Sequence, residues 1–148
     1  MTEKKTIKNK EKTEESTKFK GKFIQAVGRR KTAVAQVRIY KSGQGAIAVN
    51  GLRLNEYFSE DKVSIVTQPL KLTGHVRDID ISVLVKGGGK KAQSEAIRHG
   101  LARAFMSFED GSAEAVKAKG WLTRDARKVE RKKPGLKKAR RAPQWSKR

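Results

Sequence analysis

The chain of 148 residues carries 36 Lys and Arg against 15 Asp and Glu, a formal net charge of +21 at pH 7, and has no cysteine. The missing thiols exclude disulfides, thiolate zinc sites and a cysteine nucleophile. The length allows one domain of roughly 100 residues with polar extensions, and no apolar run reaches the length of a bilayer span or a secretory signal. A soluble, cytoplasmic protein is expected, with no membrane association.

Met1 to Lys20 is rich in Lys, Glu and Thr with almost no apolar residue and reads as a disordered polar leader. Residues 21–123 then hold the features of one globular domain. Phe23 to Val27 and Thr32 to Tyr40 read as strands, the second alternating Ala33, Ala35, Val37 and Ile39 against Thr32, Val34, Gln36, Arg38 and Tyr40, so that both faces are partly apolar. Between them Gly28, Arg29, Arg30 and Lys31 are expected to make a tight basic turn or bulge. Gly43 to Gly45 reads as a turn, Ala46 to Val49 as a short strand, and Asn50-Gly51 as a hairpin signal, since both residues tolerate positive φ. Together these predict an antiparallel start.

Asn55 is placed to cap a helical turn through Phe58, and Glu60 to Gln68 a further helix ending before Pro69. From Asp78 the pattern is strict alternation, with Ile79, Ile81, Val83 and Val85 on one face and Asp78, Asp80 and Ser82 on the other. Gly87 to Gly89 end that strand, and Ala92, Ala96, Ile97, Leu101, Ala104, Phe105 and Phe108 recur at helical spacing. Ser112 is placed to cap a last helix through Lys119, with Gly120 as its stop, before Trp121 and Leu122 close the domain. Strands first and helices later predict an α+β fold with helices packed on one face of a sheet.

Residues 124–148 hold twelve Lys or Arg against Asp125 and Glu130, a net charge of +10, interrupted by Pro134, Gly135 and Pro143. Such a segment builds no core. Its self-repulsion is relieved by a polyanion, and neutralising phosphates releases counterions, so it reads as an extended nucleic-acid arm. The high arginine share fits phosphate recognition better than solubility needs. Trp145, among basic residues, is suited to stacking on a base or packing on a neighbouring protein.

Enzymatic readings are weaker. Gly87 to Lys91, GGGKK, places glycine amides and lysines at a helix start, but Ala92 stands where a nucleotide-binding loop needs Ser or Thr for magnesium. A glycine turn with an RNA phosphate beside it is the expectation. Asp78 and Asp80 share a strand face without a third ligand nearby in sequence, which reads as charge balance against Arg77 or Lys86. His75 and His99 lie in no metal-ligand spacing, and His99, between Arg98 and Arg103, is expected on RNA or in solvent. No catalytic residue, metal, cofactor or small-molecule substrate is expected. The alternatives are an RNA-processing enzyme using Asp78 and Asp80 with a metal, and a nucleoid protein on duplex DNA, for which neither a recognition helix nor dimer elements are visible.

Four segments resemble the bacterial type of small-subunit ribosomal protein number nine: AVGRRKTAVAQVRIY at Ala26 to Tyr40, VNGLRLNEYF at Val49 to Phe58, GGGKKAQSEAIRHGLARAF at Gly87 to Phe105, and Leu122 to the terminal SKR ending at Arg148. The resemblance runs from about Lys22 to the last residue. It implies a compact α+β domain related to the second domain of ribosomal protein S-five, seated among neighbouring proteins on rRNA in the head of the small subunit. It also implies a long tail threading through rRNA, so that Lys147 and Arg148 reach the anticodon stem of tRNA in the peptidyl site. Lys91 and Ala92 depart from the Ser and Gly common in the family, Pro134 from an aromatic, and Trp145 from Phe. On this reading Arg29, Arg30, Lys31, Lys90, Lys91, Arg98 and Arg103 hold the domain on rRNA. Arg124, Arg127, Arg131, Lys132, Lys133, Lys137, Lys138, Arg140 and Arg141 line the path of the tail.

Overall fold

A computed structural model of the chain describes residue 19 and residues 21–41, 43–109 and 111–147. The leader expected over Met1 to Lys20 lies, apart from Phe19, outside the described residues, as does Arg148. The elements in chain order are β1 (Phe23–Arg30), β2 (Ala33–Tyr40), β3 (Ile47–Val49), β4 (Leu52–Arg53), α1 (Leu54–Tyr57), α2 (Glu60–Thr73), β5 (Asp80–Lys86), α3 (Lys90–Phe108) and α4 (Ser112–Ala118).

Five strands form one sheet in the order β1-β2-β5-β3-β4. The β1/β2 and β3/β4 hairpins and the β2/β5 pair are antiparallel, whereas β3 runs parallel to β5, with Ile47, Ala48 and Val49 opposite Ile81, Ser82 and Val83. The sheet is therefore mixed rather than wholly antiparallel, because α1 and α2 form a crossover that returns the chain to the start of β5. Asn50 stabilises this junction. Its backbone and that of Gly51 have positive φ as the hairpin requires (50° and 82°). Its side-chain amide donates to Val85 O (3.0 Å) and accepts from Val85 N (2.9 Å), continuing the ladder where the strand has ended.

One sheet face carries the core. Ala33, Ala35, Val37, Ile39, Ile81, Val83 and Val85 are buried there against Ala96, Ile97, Leu101 and Phe105 of α3, and α2 adds Val66 and Leu70. Each fully buried Val, Ile, Leu or Phe contributes about 1.5–3 kcal/mol. The opposite face leaves Phe23, Val34 and Leu84 exposed, so the expected one-sided helix packing is what forms. Phe19 packs on Tyr40 with ring centroids 5.5 Å apart, which ties the end of the leader to this open face.

Four local expectations are corrected. Gly28, Arg29 and Arg30 continue β1 instead of forming a turn; the turn is Lys31-Thr32, with Lys31 at φ 52°. Gly28 serves close packing: a Cβ there would overlap Ala96 O and Gly100 N of α3. The small residues Ala92, Ala96 and Gly100 recur at every fourth position of α3 and let that helix settle onto the strands. Secondly, Arg53 rather than Asn55 occupies the cap position of α1.

Thirdly, α2 runs through Pro69 to Thr73 and stops at Gly74, whose φ is 79°. A helix-interior proline costs about 3 kcal/mol, an amount offset by burial of Val66, Pro69 and Leu70 on the core side. Fourthly, Ser112 does not cap α4 through its side chain. Its hydroxyl donates back to Phe105 O (3.1 Å) and Glu109 O (3.0 Å), closing the exposed carbonyl end of α3.

Candidate nucleic-acid interface

Residues 124–147 contain no helix or strand; a turn at Pro134-Gly135 is the main local feature, with Gly135 at φ 78°. Glu130 organises it by pairing with Lys133 (2.6 Å) and Arg140 (2.8 Å), and those two cations, Lys133 first, hold its carboxyl below the usual range. Val129 and Trp145 are almost fully exposed, so this segment adds nothing to the core.

Its root is fastened to the domain at three points. Arg30, at the end of β1, reaches Glu95 on α3 (2.7 Å) and Asp125 (2.9 Å), and donates to the carbonyls of Asp125 (3.2 Å) and Arg127 (2.6 Å). Arg124 donates to Lys31 O (3.2 Å). His99 on α3 places Nδ1 3.1 Å from Arg29 N and 3.3 Å from Arg29 O, and its Nε2 lies 3.1 Å from Leu122 O. His99 therefore joins β1, α3 and the tail root, and it also lines the cleft beside them. Arg30 is similarly committed: its side chain is 12% exposed and meets acceptors on two other segments.

Asp125 carries the electrostatics of this junction. The Arg127 guanidinium, followed by the Arg127 amide and the charge on Arg30, holds its carboxyl down at about 2, against an ordinary 3.8. A depressed folded-state value means that the Asp125 contribution to the attachment is fully present above about pH 4 and is lost as pH falls toward 2. Replacing Arg127 with Ala removes the largest cause. Asp125 should then titrate higher by carboxyl carbon NMR, while the retained amide of residue 127 and Arg30 keep it below 3.8; an unchanged midpoint would show that these two, and not the guanidinium, set the junction.

The other expected RNA cations fall into two groups. Arg29, Arg30, Lys31, Lys91 and Arg98 converge on one cleft of about 490 Å³, where Lys119 and Arg127 join them, with Trp121 as part of the wall. Lys90 and Arg103 lie outside it. Lys90 sits 3.1 Å above the Tyr57 ring centroid and donates to Tyr57 O (3.2 Å), while Arg103 donates to Val27 O (2.6 Å). Both thus brace the domain.

Arg131, Lys132, Lys137, Lys138, Arg141 and Lys147 are exposed along the terminal segment. Sequence reasoning missed Lys119, Glu95 and Asp125 as parts of the cleft. The one visible signal was the spacing of Lys91, Glu95 and Arg98, which places them on one side of a helix.

The acidic pair has a structural use. Asp80 Oδ1 accepts from Gln44 N and Ala46 N (2.9 Å each), holding the β2–β3 loop against β5. Asp78 lies 3.6 Å from His75 Nδ1, and His75 Nε2 is 3.1 Å from Glu109. Among the described residues no group of three or more His, Asp or Glu is placed to hold a metal, and no helix is long and apolar enough to cross a membrane. Gly87 and Gly88 have positive φ (73° and 65°), so the glycine run does form the turn expected of it.

A small α+β body with a large cationic excess, gathered in one cleft and continued into a polycationic segment, is the build of a ribosomal protein. Residues 28–148 match the family described as Ribosomal protein S9/S16, and the chain belongs to that family. It is thus a ribosomal protein of the small subunit, associated with ribosomal RNA and ribosomal proteins in translation, in a family that is generally structural rather than enzymatic.

Proposed function

We propose that the chain is a structural component of the small-subunit head in the cytoplasmic ribosome, with a globular unit over residues 21–123 and an rRNA-threading arm over 124–148. A relation of the globular unit to the second domain of ribosomal protein S-five is part of this reading. The observation that carries it is the segment beyond Thr123: twelve cations in 25 residues, no helix or strand over 124–147, and a root latched to the domain by Arg30. A free polycation at neutral pH is loose. One fixed at its root leaves the domain in a set direction and loses less entropy when it lies along RNA.

In this reading the arm's exposed cations track phosphates, and Lys147 with Arg148 reaches tRNA in the peptidyl site. Arg29, Lys31 and Lys91 contact rRNA directly. Arg98 offers its guanidinium face within the same cleft, Arg30 and Arg103 act by shaping the surface, and the open sheet face bearing Phe23, Val34 and Leu84 suits a neighbouring head protein.

Footprinting of the purified protein on small-subunit rRNA, at moderate salt with excess duplex DNA, tests the proposal. Protection confined to a few head-domain sites is expected. Removing Lys147 and Arg148 should leave that protection intact while weakening peptidyl-site tRNA retention by assembled subunits. Diffuse protection lost to the DNA competitor would refute an rRNA-specific role, and unaltered tRNA retention would refute the terminal contact.

A further inference from the structure

The cleft at the tail root is built from four parts of the chain: the end of β1 with its turn, one side of α3, the segment after α4, and the first residues of the arm. Seven Lys and Arg line it against two carboxylates, Glu95 and Asp125. Arg30 pairs with both of these acids, and Arg127 shares the second. Arg29, Lys31, Lys91 and Lys119 therefore face the same cavity without a side-chain acid of their own among the described residues. Close cations without counter-charge repel one another, and an anion entering the cleft relieves that repulsion.

Two further lining residues differ in kind. Trp121 lines the cavity, and the Arg98 guanidinium lies 5.6 Å from its ring while Gln68 holds that guanidinium at 2.9 Å. An aromatic ring and a planar cation, each able to stack, are the surfaces on which unpaired bases lie. The volume, about 490 Å³, falls within the range of about 300 to 1,000 Å³ typical of small-ligand sites. A duplex presents its phosphates as ridges around stacked bases and offers no base to such a wall. A nucleotide freed from its stack offers a phosphate and a base together.

We propose that this cleft holds a single unstacked nucleotide of RNA, its phosphate among Arg29, Lys31, Lys91 and Lys119 and its base against Trp121 and Arg98. The inference rests on the RNA-binding reading above and sharpens it: the domain recognises a bulged or looped nucleotide, while the arm follows backbone charge. Arg30 is the positioning residue, because it fixes both acids of the cleft and the strand, helix and arm that form its walls.

The experiment uses the full chain carrying Trp145→Phe, which leaves Trp121 as the single tryptophan. Its fluorescence is titrated with a 5′-phosphorylated adenylate dinucleotide and, separately, with inorganic phosphate, while binding to a small-subunit rRNA head fragment is measured in parallel. Expected are saturable quenching by the dinucleotide, at least tenfold weaker binding of inorganic phosphate, and at least a tenfold loss of dinucleotide affinity in the Lys31→Ala, Lys91→Ala double variant. Both lysines are exposed, so the variant should keep its circular dichroism spectrum and melting temperature. Absence of quenching in a chain that still binds the rRNA fragment overturns the nucleotide pocket and leaves RNA binding standing. Equal affinity for phosphate and dinucleotide overturns the base contact, and failure to bind the rRNA fragment overturns the underlying reading itself.

Discussion

Deleting residues 124–148 should remove most of the salt dependence of rRNA binding while leaving the domain folded. With about eight of the twelve arm cations on phosphates, the arm contributes about −6 to −7 to the slope of log K against log salt, since each neutralised phosphate adds about −0.7 to −0.9. The remaining domain, with three or four phosphate contacts, should show a slope of about −3. The two acids of the arm limit this effect only modestly. Asp125 holds Arg127, and Glu130 holds Lys133 and Arg140, in exposed pairs that a dense polyanion displaces. Folding should survive because the core cluster contains no residue beyond Phe108 and the Leu122 carbonyl that meets His99 is retained. Arg30 loses Asp125 but keeps Glu95. Binding measured from 50 to 300 mM salt, alongside a thermal melt, decides the matter. An unchanged slope would refute the arm, and an unfolded truncation would show that the latch at Arg30 supports the fold as well as directing the segment.

The polycationic, coreless composition of residues 124–148 was legible because charge density and core-forming capacity are properties of composition, visible without knowledge of contacts. The strands were legible for a related reason: Ala33, Ala35, Val37 and Ile39, and later Ile81, Val83 and Val85, alternate with a period that only a half-buried sheet satisfies. Less visible was every feature set by pairs of residues distant in the chain. Nothing near Gly28 says that α3 will cross it some 70 residues later, so a glycine before three cations reads as a turn. Pro69 reads as a stop because the local cost is plain and the compensating burial of Val66 and Leu70 is not. Cations show the same division. The sequence reveals how many there are, whereas whether Arg30, Lys90 and Arg103 face outward or meet Glu95, Tyr57 and Val27 depends on what the fold brings beside them.

The close crossing of β1 and α3 should make Gly28→Ala one of the most destabilising single-methyl additions in the protein. An added Cβ overlaps the carbonyl of Ala96 and the amide of Gly100, both backbone atoms of a helix, so no side chain can rotate away to admit it. The alternative is to push α3 off the sheet, and that would loosen Ile97, Leu101 and Phe105, all fully buried on the same helix. Overpacking a core by one or two carbons costs about 1–3 kcal/mol where side chains can adjust; here, with a rigid neighbour, a loss of more than about 3 kcal/mol is expected. Gly100→Ala should be milder, because its new Cβ meets Val37 Cγ2 at 2.7 Å, the end of a side chain, before it reaches Gly28 N at 3.1 Å. Gly111→Ala is the control: nothing lies within 4 Å of its Cβ and its φ of −69° suits alanine, so the change should stay within about 0.5 kcal/mol. Denaturant unfolding of the three variants should rank them Gly28, Gly100, Gly111 in decreasing loss. A Gly28→Ala protein as stable as the parent would mean that β1 and α3 do not cross as closely as these backbones place them. The cleft at their shared end, whose walls depend on that crossing, would then need to be redrawn.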